Sequence, residues 1–448
     1  MRNLRSKAAR RGTALAVLCL AAAIAAASGS AHRIAVHSGT MVPDTMRSPS
    51  LKAPATPLAN PTGTVRFSCQ LTVPAGCYGP DQMRTAYNVQ SLLDRGYTGA
   101  GKTIVIIDAY GSPTLATDVV NFNTVWGLPA TNLTTYTPFG IEPTTPTNAE
   151  GWSGETTLDV EWAHAIAPGA AIALVIAKSN NDADILDATQ YAIDNNLGDT
   201  ISQSFGEAEQ CMASSDLARQ GVLFQEAVAK GMTLFASSGD QGAGQPACDG
   251  SPTYFKAAST PATDPNVTAV GGTELTADGI TGAYQSETTW NESALFDDAV
   301  AGGGGESVLF PRPVYQLIAA SPRVGNGKRL VPDVSYNAAV FQGVIVAWQG
   351  TFFRFGGTSA GSPQWAALAA ITNQIARHRL GNINPALYVA AKMPFGAFHD
   401  IADGSNNSVP DGSGGTITGF TATKGYDEAT GLGTPNAAVL VPLLALRG

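Results

Sequence analysis

Four mainly apolar runs constrain this chain most: Thr103 to Ile107, Ala171 to Ile176, Met232 to Ala236 and Val344 to Trp348. None alternates with polar residues, so each is read as a strand buried on both faces. Helix-like stretches, Asp182 to Asn195 and Ala213 to Lys230, fall between some of them. Continuous apolar strands alternating with helices predict an α/β fold, with a mainly parallel sheet covered by helices on both faces. The chain shows no internal repeat.

Composition narrows the function. Charged residues are 14% and hydrophobic ones 44% of the 448 residues, which excludes a disordered chain and supplies ample core. The net charge is -9, and residues 1–31 hold five cations and no acids, leaving 21 basic against 35 acidic residues in the rest. A chain this acidic is a poor match for a phosphate backbone, so no nucleic-acid partner is expected.

The beginning of the chain has three parts. Met1 to Arg11 is basic, Thr13 to Ala27 is a small-apolar run, and Ser28-Gly29-Ser30-Ala31 is small. This predicts a secretory signal over residues 1–31, cleaved near Ala27 or Ala31, rather than a membrane anchor, whose core needs about 20 apolar residues. The mature protein is then expected outside the cell, with no stable membrane association, as a monomer. Residues 32–77 are read as a Pro/Thr/Ser-rich linker or short pro-segment with a small disulfide loop, and 78–448 as the catalytic domain. Beyond Cys19, four cysteines remain: Cys69, Cys77, Cys211 and Cys248. An even count in an exported chain points to disulfides. Three pairings are possible, and Cys69–Cys77 with Cys211–Cys248 is the most local.

Gly357-Thr358-Ser359-Ala360-Gly361 follows a strand-like run, Thr351 to Phe355, and precedes a helical pattern reaching about Arg377. Small neighbours would let a substrate approach the Ser359 hydroxyl, although an N-cap serine reads the same locally. An α/β-hydrolase would need an acid and then a histidine downstream. No Asp or Glu lies between Ser359 and His399, so that reading fails. Upstream, His32 and His37 lie in the linker and His164 sits in the wrong kind of motif. If Ser359 is a nucleophile, its base is not expected to be histidine.

Two other places offer carboxylates. Glu155 and Asp159, spaced i, i+4 in a segment running to about Ile166, would share one helix face. They could serve the helix dipole of a first turn, or they could share a proton. Asp240 lies just past the strand-like run ending at Ala236, where α/β sheets place function, though Gly239-Asp240 also suits an ordinary turn.

Together these regions resemble the sedolisin, or serine-carboxyl peptidase, family. Ser359 lies in Gly357-Thr358-Ser359-Ala360-Gly361-Ser362-Pro363, similar to the family's S-G-T-S-A-x-x-P, with Gly356 in place of its first Ser. Glu155 and Asp159 fit its E-x-x-L-D, and Asp240 its G-D-x-G. Smaller echoes are Ser204-Phe205-Gly206, Gly303-Gly304-Gly305 and Val331-Pro332-Asp333-Val334-Ser335. The resemblance implies a subtilisin-like three-layer fold and a secreted peptidase acting on proteins or peptides. Ser359 would be the nucleophile, Glu155 the general base and acid, Asp159 its partner and Asp240 the oxyanion donor. Ser204, Phe205 and Gly206 would form a backbone edge for the substrate. A carboxylate base and a protonated Asp240 both imply activity at acid pH.

Asp400-Ile401, followed after a Gly/Ser/Asn-rich stretch by Thr423-Lys424-Gly425-Tyr426-Asp427, suits a hard cation or a solvated loop. The resemblance implies one structural Ca²⁺ held by Asp400, Ile401, Thr423, Gly425 and Asp427. A two-Asp aspartic peptidase would need paired D-[ST]-G motifs, which the chain lacks. The alternative to an enzyme is a catalytically silent exported binding protein on the same scaffold.

Overall fold

The computed structural model describes residues 39–43, 52–318 and 326–446. The predicted signal over residues 1–31 lies outside them. An eight-stranded sheet forms the centre. Its strands, in chain order, are β1 (Thr103–Ala109), β2 (Asn132–Tyr136), β3 (Ala171–Ala177), β4 (Thr200–Gln203), β5 (Thr233–Ser237), β6 (Val267–Ala277), β7 (Tyr284–Thr289) and β8 (Val334–Asn337). The spatial order is β7-β6-β5-β4-β1-β3-β2, with β8 also pairing with β6. All pairs are parallel except β6 with β7.

Strand alternation divides the apolar run of β1 between two layers. Ile104 and Ile106 join one core cluster, and Val105 and Ile107 the other. Helices α1 (Pro146–Ile166) and α4 (Gly361–Ala376) pack on the first face. Helices α2 (Asp182–Asp194) and α3 (Ser214–Ala229) pack on the second. This is the predicted three-layer arrangement. The order reverses at β1, whose neighbours are β3 on one side and β4 on the other. Such a switch point opens a crevice beyond the carboxyl ends of the strands.

Three expectations need correction. Val344 to Trp348 is a buried strand, but it belongs to a separate four-stranded sheet with Thr351–Phe355, Lys52–Pro54 and Cys77–Tyr78. An apolar run reports burial and cannot report its partner strand. Residues 52–77 are not a bare linker: they form an edge strand and a hairpin, and Phe67 is fully buried. The remaining correction concerns Glu155, which does not open its helix. Thr145 caps that helix at its hydroxyl, accepting from Asn148 N–H at 3.2 Å, and Pro146 supplies the first turn. The four cysteines form disulfides, and of the three possible pairings the structure has the most local, Cys69–Cys77 with Cys211–Cys248.

Candidate active site

The crevice at the switch point is lined with acids. Asp108 is the last but one residue of β1, on the face that α1 covers, and Glu155 and Asp159 lie well inside α1. All three are fully buried. Burial first, then the negative charge of Glu155, holds the Asp108 carboxyl well above the usual carboxylate range. Asp159 is held up in the same way, by burial and then by Asp108, and the hydrogen bonds it receives from Ser204 and shares with Glu155 only partly oppose this. The three carboxyls therefore influence one another's ionisation.

Ser204, just past β4, links this group to the serine. Its Oγ donates to Asp159 Oδ1 at 2.9 Å, and its carbonyl accepts from Ser359 Oγ at 3.2 Å. Ser359 sits in a short 3-10 turn, Thr358–Ala360, that runs directly into α4. That helix is anchored under the sheet: Ser362 and Ser202 share a hydroxyl hydrogen bond of 2.8 Å. The turn is thus fixed from below, and its hydroxyl faces the carboxyl ends of the strands.

Asp240 reaches the same turn from the other side. Its Oδ1 accepts from the Thr358 N–H at 2.8 Å and from the Thr358 hydroxyl at 2.9 Å. The approach depends on glycine. Gly239 has φ +105°, and a Cβ on Gly303 would stand 2.1 Å from the Ser238 carbonyl. Gly303 donates to the Gly239 carbonyl at 2.7 Å, which braces the loop that carries Asp240.

No histidine among the described residues takes part. His164 contacts the Pro129 carbonyl at 2.9 Å, His378 that of Arg379, and His399 stacks on Tyr284. The structure thus brings Glu155, Asp159, Ser204 and Ser359 into one hydrogen-bonded chain, with Asp240 joined through Thr358. Sequence reading missed Asp108, although the rule that picks out Asp240, an acid at the end of a buried strand, applies to it equally.

Phe205 and Gly206 lie on the strand Phe205–Ala208. One side pairs with Ser259–Thr260 and the other with Val42–Pro43 of the same chain. The edge assigned to a substrate is therefore occupied by residues near the start of the chain.

The C-terminal loop brings Asp400 and Asp427 to one turn. Gly425 N–H donates to both Asp400 oxygens at 3.0 Å, and Thr423 N–H to Asp427 Oδ2 at 2.8 Å. Ile401 is buried behind them. Among the described residues no group of three or more His, Cys, Asp or Glu could hold a metal. The side chains here are two carboxylates, oxygen ligands of the kind a hard cation takes.

Residues 147–385, just over half of the chain, match the subtilase family. Kumamolisin of Bacillus sp. (strain MN-32) is 34% identical over 80% of this chain, and sedolisin of Pseudomonas sp. (strain 101) is 31% identical over 83%. The chain spans 62% of the length of each. A solved structure of Pseudomonas sedolisin, a serine-carboxyl proteinase complexed with two molecules of pseudo-iodotyrostatin, superposes with a TM-score of 0.72 at 30% identity, covering 83% of this chain and 99% of that one. With its parallel sheet, its serine turn at the head of α4 and its carboxylates in α1, this chain belongs to the sedolisin group of the subtilase family.

Proposed function

We propose that this chain is a secreted serine-carboxyl peptidase that hydrolyses peptide bonds at acid pH. The hydrogen-bonded chain from Glu155 through Asp159 and Ser204 to Ser359 supports this reading most directly. Glu155 takes the Ser359 proton as Oγ attacks the peptide carbonyl, and returns it to the leaving amine. Ser359 Oγ first has to leave the Ser204 carbonyl that it now contacts. Asp159 and Asp108 keep the shared protons close by and set the pH at which Glu155 ionises. Asp240, in its protonated form, donates to the oxyanion. Water then releases the acyl group with Glu155 as base.

Acid activity follows from the chemistry. A carboxyl works as general acid and base on the acid side of neutrality, and an oxyanion donor that is itself a carboxylic acid has to keep its proton, so both demands point to acid conditions. The test uses a peptide library from pH 3 to 8. Cleavage should peak below pH 6. Ser359→Ala should lower kcat/KM by about a thousandfold or more, with the melting temperature unchanged, and Glu155→Gln by about 10² to 10⁴. A maximum at or above neutrality, or full activity in Glu155→Gln, refutes the mechanism.

The same reading assigns one structural Ca²⁺ to Asp400, Asp427 and the carbonyls of Ile401, Thr423 and Gly425. The two carboxylates brought to the 423–425 turn support it. The ion would pin the C-terminal loop and stabilise the fold, since only the folded chain assembles this set.

A further inference from the structure

The loop that carries Asp240 is held in two ways. The first is a set of main-chain bonds: Ala301 N–H donates to the Asp240 carbonyl at 2.9 Å, and Gly242 N–H to the Ala301 carbonyl at 2.9 Å. The second is a hairpin, Gly244–Pro246 with Tyr254–Lys256, that the chain enters directly after the loop. Gln245 in its first strand lies against Gly239, where a Cβ would stand 2.5 Å from Gln245 Nε2. Its second strand leads into Ser259–Thr260, which pairs antiparallel with Glu207 and Ala208. One segment of chain therefore runs from Asp240 to the strand Phe205–Ala208.

Cys211–Cys248 cross-links the two ends of this arrangement. Cys211 follows the strand Phe205–Ala208, and its N–H donates to the Ala208 carbonyl at 2.8 Å. Cys248 lies in the turn of the hairpin, between Pro246 and Tyr254. The bond joins residues 37 apart, and α3, β5 and Asp240 all lie between them. Around it Ala208, Ala257 and Phe255 form a small apolar cluster, separate from the two large ones that flank the sheet. A cluster of that size holds a loop far less firmly than a main core does, so the covalent bond is the firm tie here. An oxyanion donor needs such a tie, because it acts only at hydrogen-bonding distance from the developing charge.

We propose that Cys211–Cys248 is a positioning cross-link for Asp240: by fixing the hairpin to the exit of the strand Phe205–Ala208, it holds the oxyanion donor at its working distance from Ser359. This rests on the peptidase reading above. The strand keeps its pairing with Ser259–Thr260 when the bond is gone, and Glu209 N–H still donates to the Ala258 carbonyl at 3.1 Å. The loss on opening the bond therefore falls on the transition state, and so on kcat rather than KM.

The test compares the full chain with its Cys211→Ala, Cys248→Ala double variant, both well below their melting temperatures. In the double variant kcat should fall about tenfold, with KM within about a factor of two. In an Asp240→Ala background the same double change should alter kcat by less than about twofold, because the bond acts through a donor no longer present. Cys69→Ala with Cys77→Ala should leave kcat unchanged. A second readout needs no activity: amide exchange at Thr358, whose N–H donates to Asp240 Oδ1 at 2.8 Å, should quicken about tenfold once Cys211–Cys248 is gone. An unchanged kcat, an equal loss with and without Asp240, a like loss on opening Cys69–Cys77, or unaltered exchange at Thr358 overturns the proposal. Serine at both positions replaces alanine if the alanine pair does not fold. Failure of both pairs to fold makes the bond a folding requirement and also overturns it. If the unaltered chain cleaves no peptide at any pH while exchange at Thr358 responds as expected, the peptidase reading fails and the hold on Asp240 stands.

Discussion

Asp159 and Asp333 are both fully buried carboxyls, in very different company. Asp333 faces Arg329, whose guanidinium donates to Oδ1 at 2.6 Å and also to Oδ2. Tyr388 OH and the Ala269 N–H each add a bond at 2.9 Å. Asp159 has two other acids as neighbours, and no cation figures among the influences on its charge. The first arrangement balances its charge on the spot and ties the structure together. The second leaves charge unbalanced, so protons move in and out as pH changes. Burial alone therefore does not mark a catalytic acid. Burial among other acids, with no counter-cation, is the feature that sets Asp159 apart from Asp333.

Breaking the balanced site should cost the most stability. Arg329→Met strands Asp333 and should destabilise the chain by about 3–5 kcal/mol, read by urea unfolding. Replacing both partners with apolar residues should recover much of that loss. If Arg329→Met is harmless, the pair is not the structural tie drawn here.

The acid group should respond in the opposite sense. Asp108→Asn removes one like charge without changing shape. The fold should survive, while the acidic limb of kcat/KM against pH moves down by about one unit, because the remaining carboxyls ionise more easily. A limb that stays put would sever Asp108 from the site.

A pH series on the whole molecule sharpens the comparison. Burial raises Asp182 and Asp264 to about 6 and Glu428 to about 7, and it raises Asp108, Asp159 and Glu161 well above their usual range. Folding therefore takes up protons on these groups. Their contribution to stability is complete below their unfolded values near 4 and is lost as pH rises through 6 to 7. The melting temperature should fall between pH 4 and pH 7; a rise would contradict this. The smallest effect belongs to the C-terminal loop, where a calcium chelator should lower the melting temperature by a few degrees. No change would remove the assignment of Ca²⁺ to Asp400 and Asp427.

Much of this was legible in the residues. The strands β1, β3 and β5 announced themselves because both of their faces are buried. The strand β4, Thr-Ile-Ser-Gln, was not legible, because its polar side chains are buried on partners such as Ser362 that only the folded chain supplies. Ser359, Glu155, Asp159 and Asp240 could be picked out from motifs, but their linkage through Ser204 and Thr358 could not. Residues 52–77 read as a linker because they are rich in Pro and Thr, and strand pairing across some 300 residues leaves no local trace.

Helix α1 passes through the interior with Gly151 to Ile166 hidden along its whole girth. Glu155 and Asp159 are thus set in the central beam of the molecule rather than on a loop that can loosen by itself. Such a scaffold has no half-melted working form: heat or denaturant that unseats the beam dismantles the machinery and the building together.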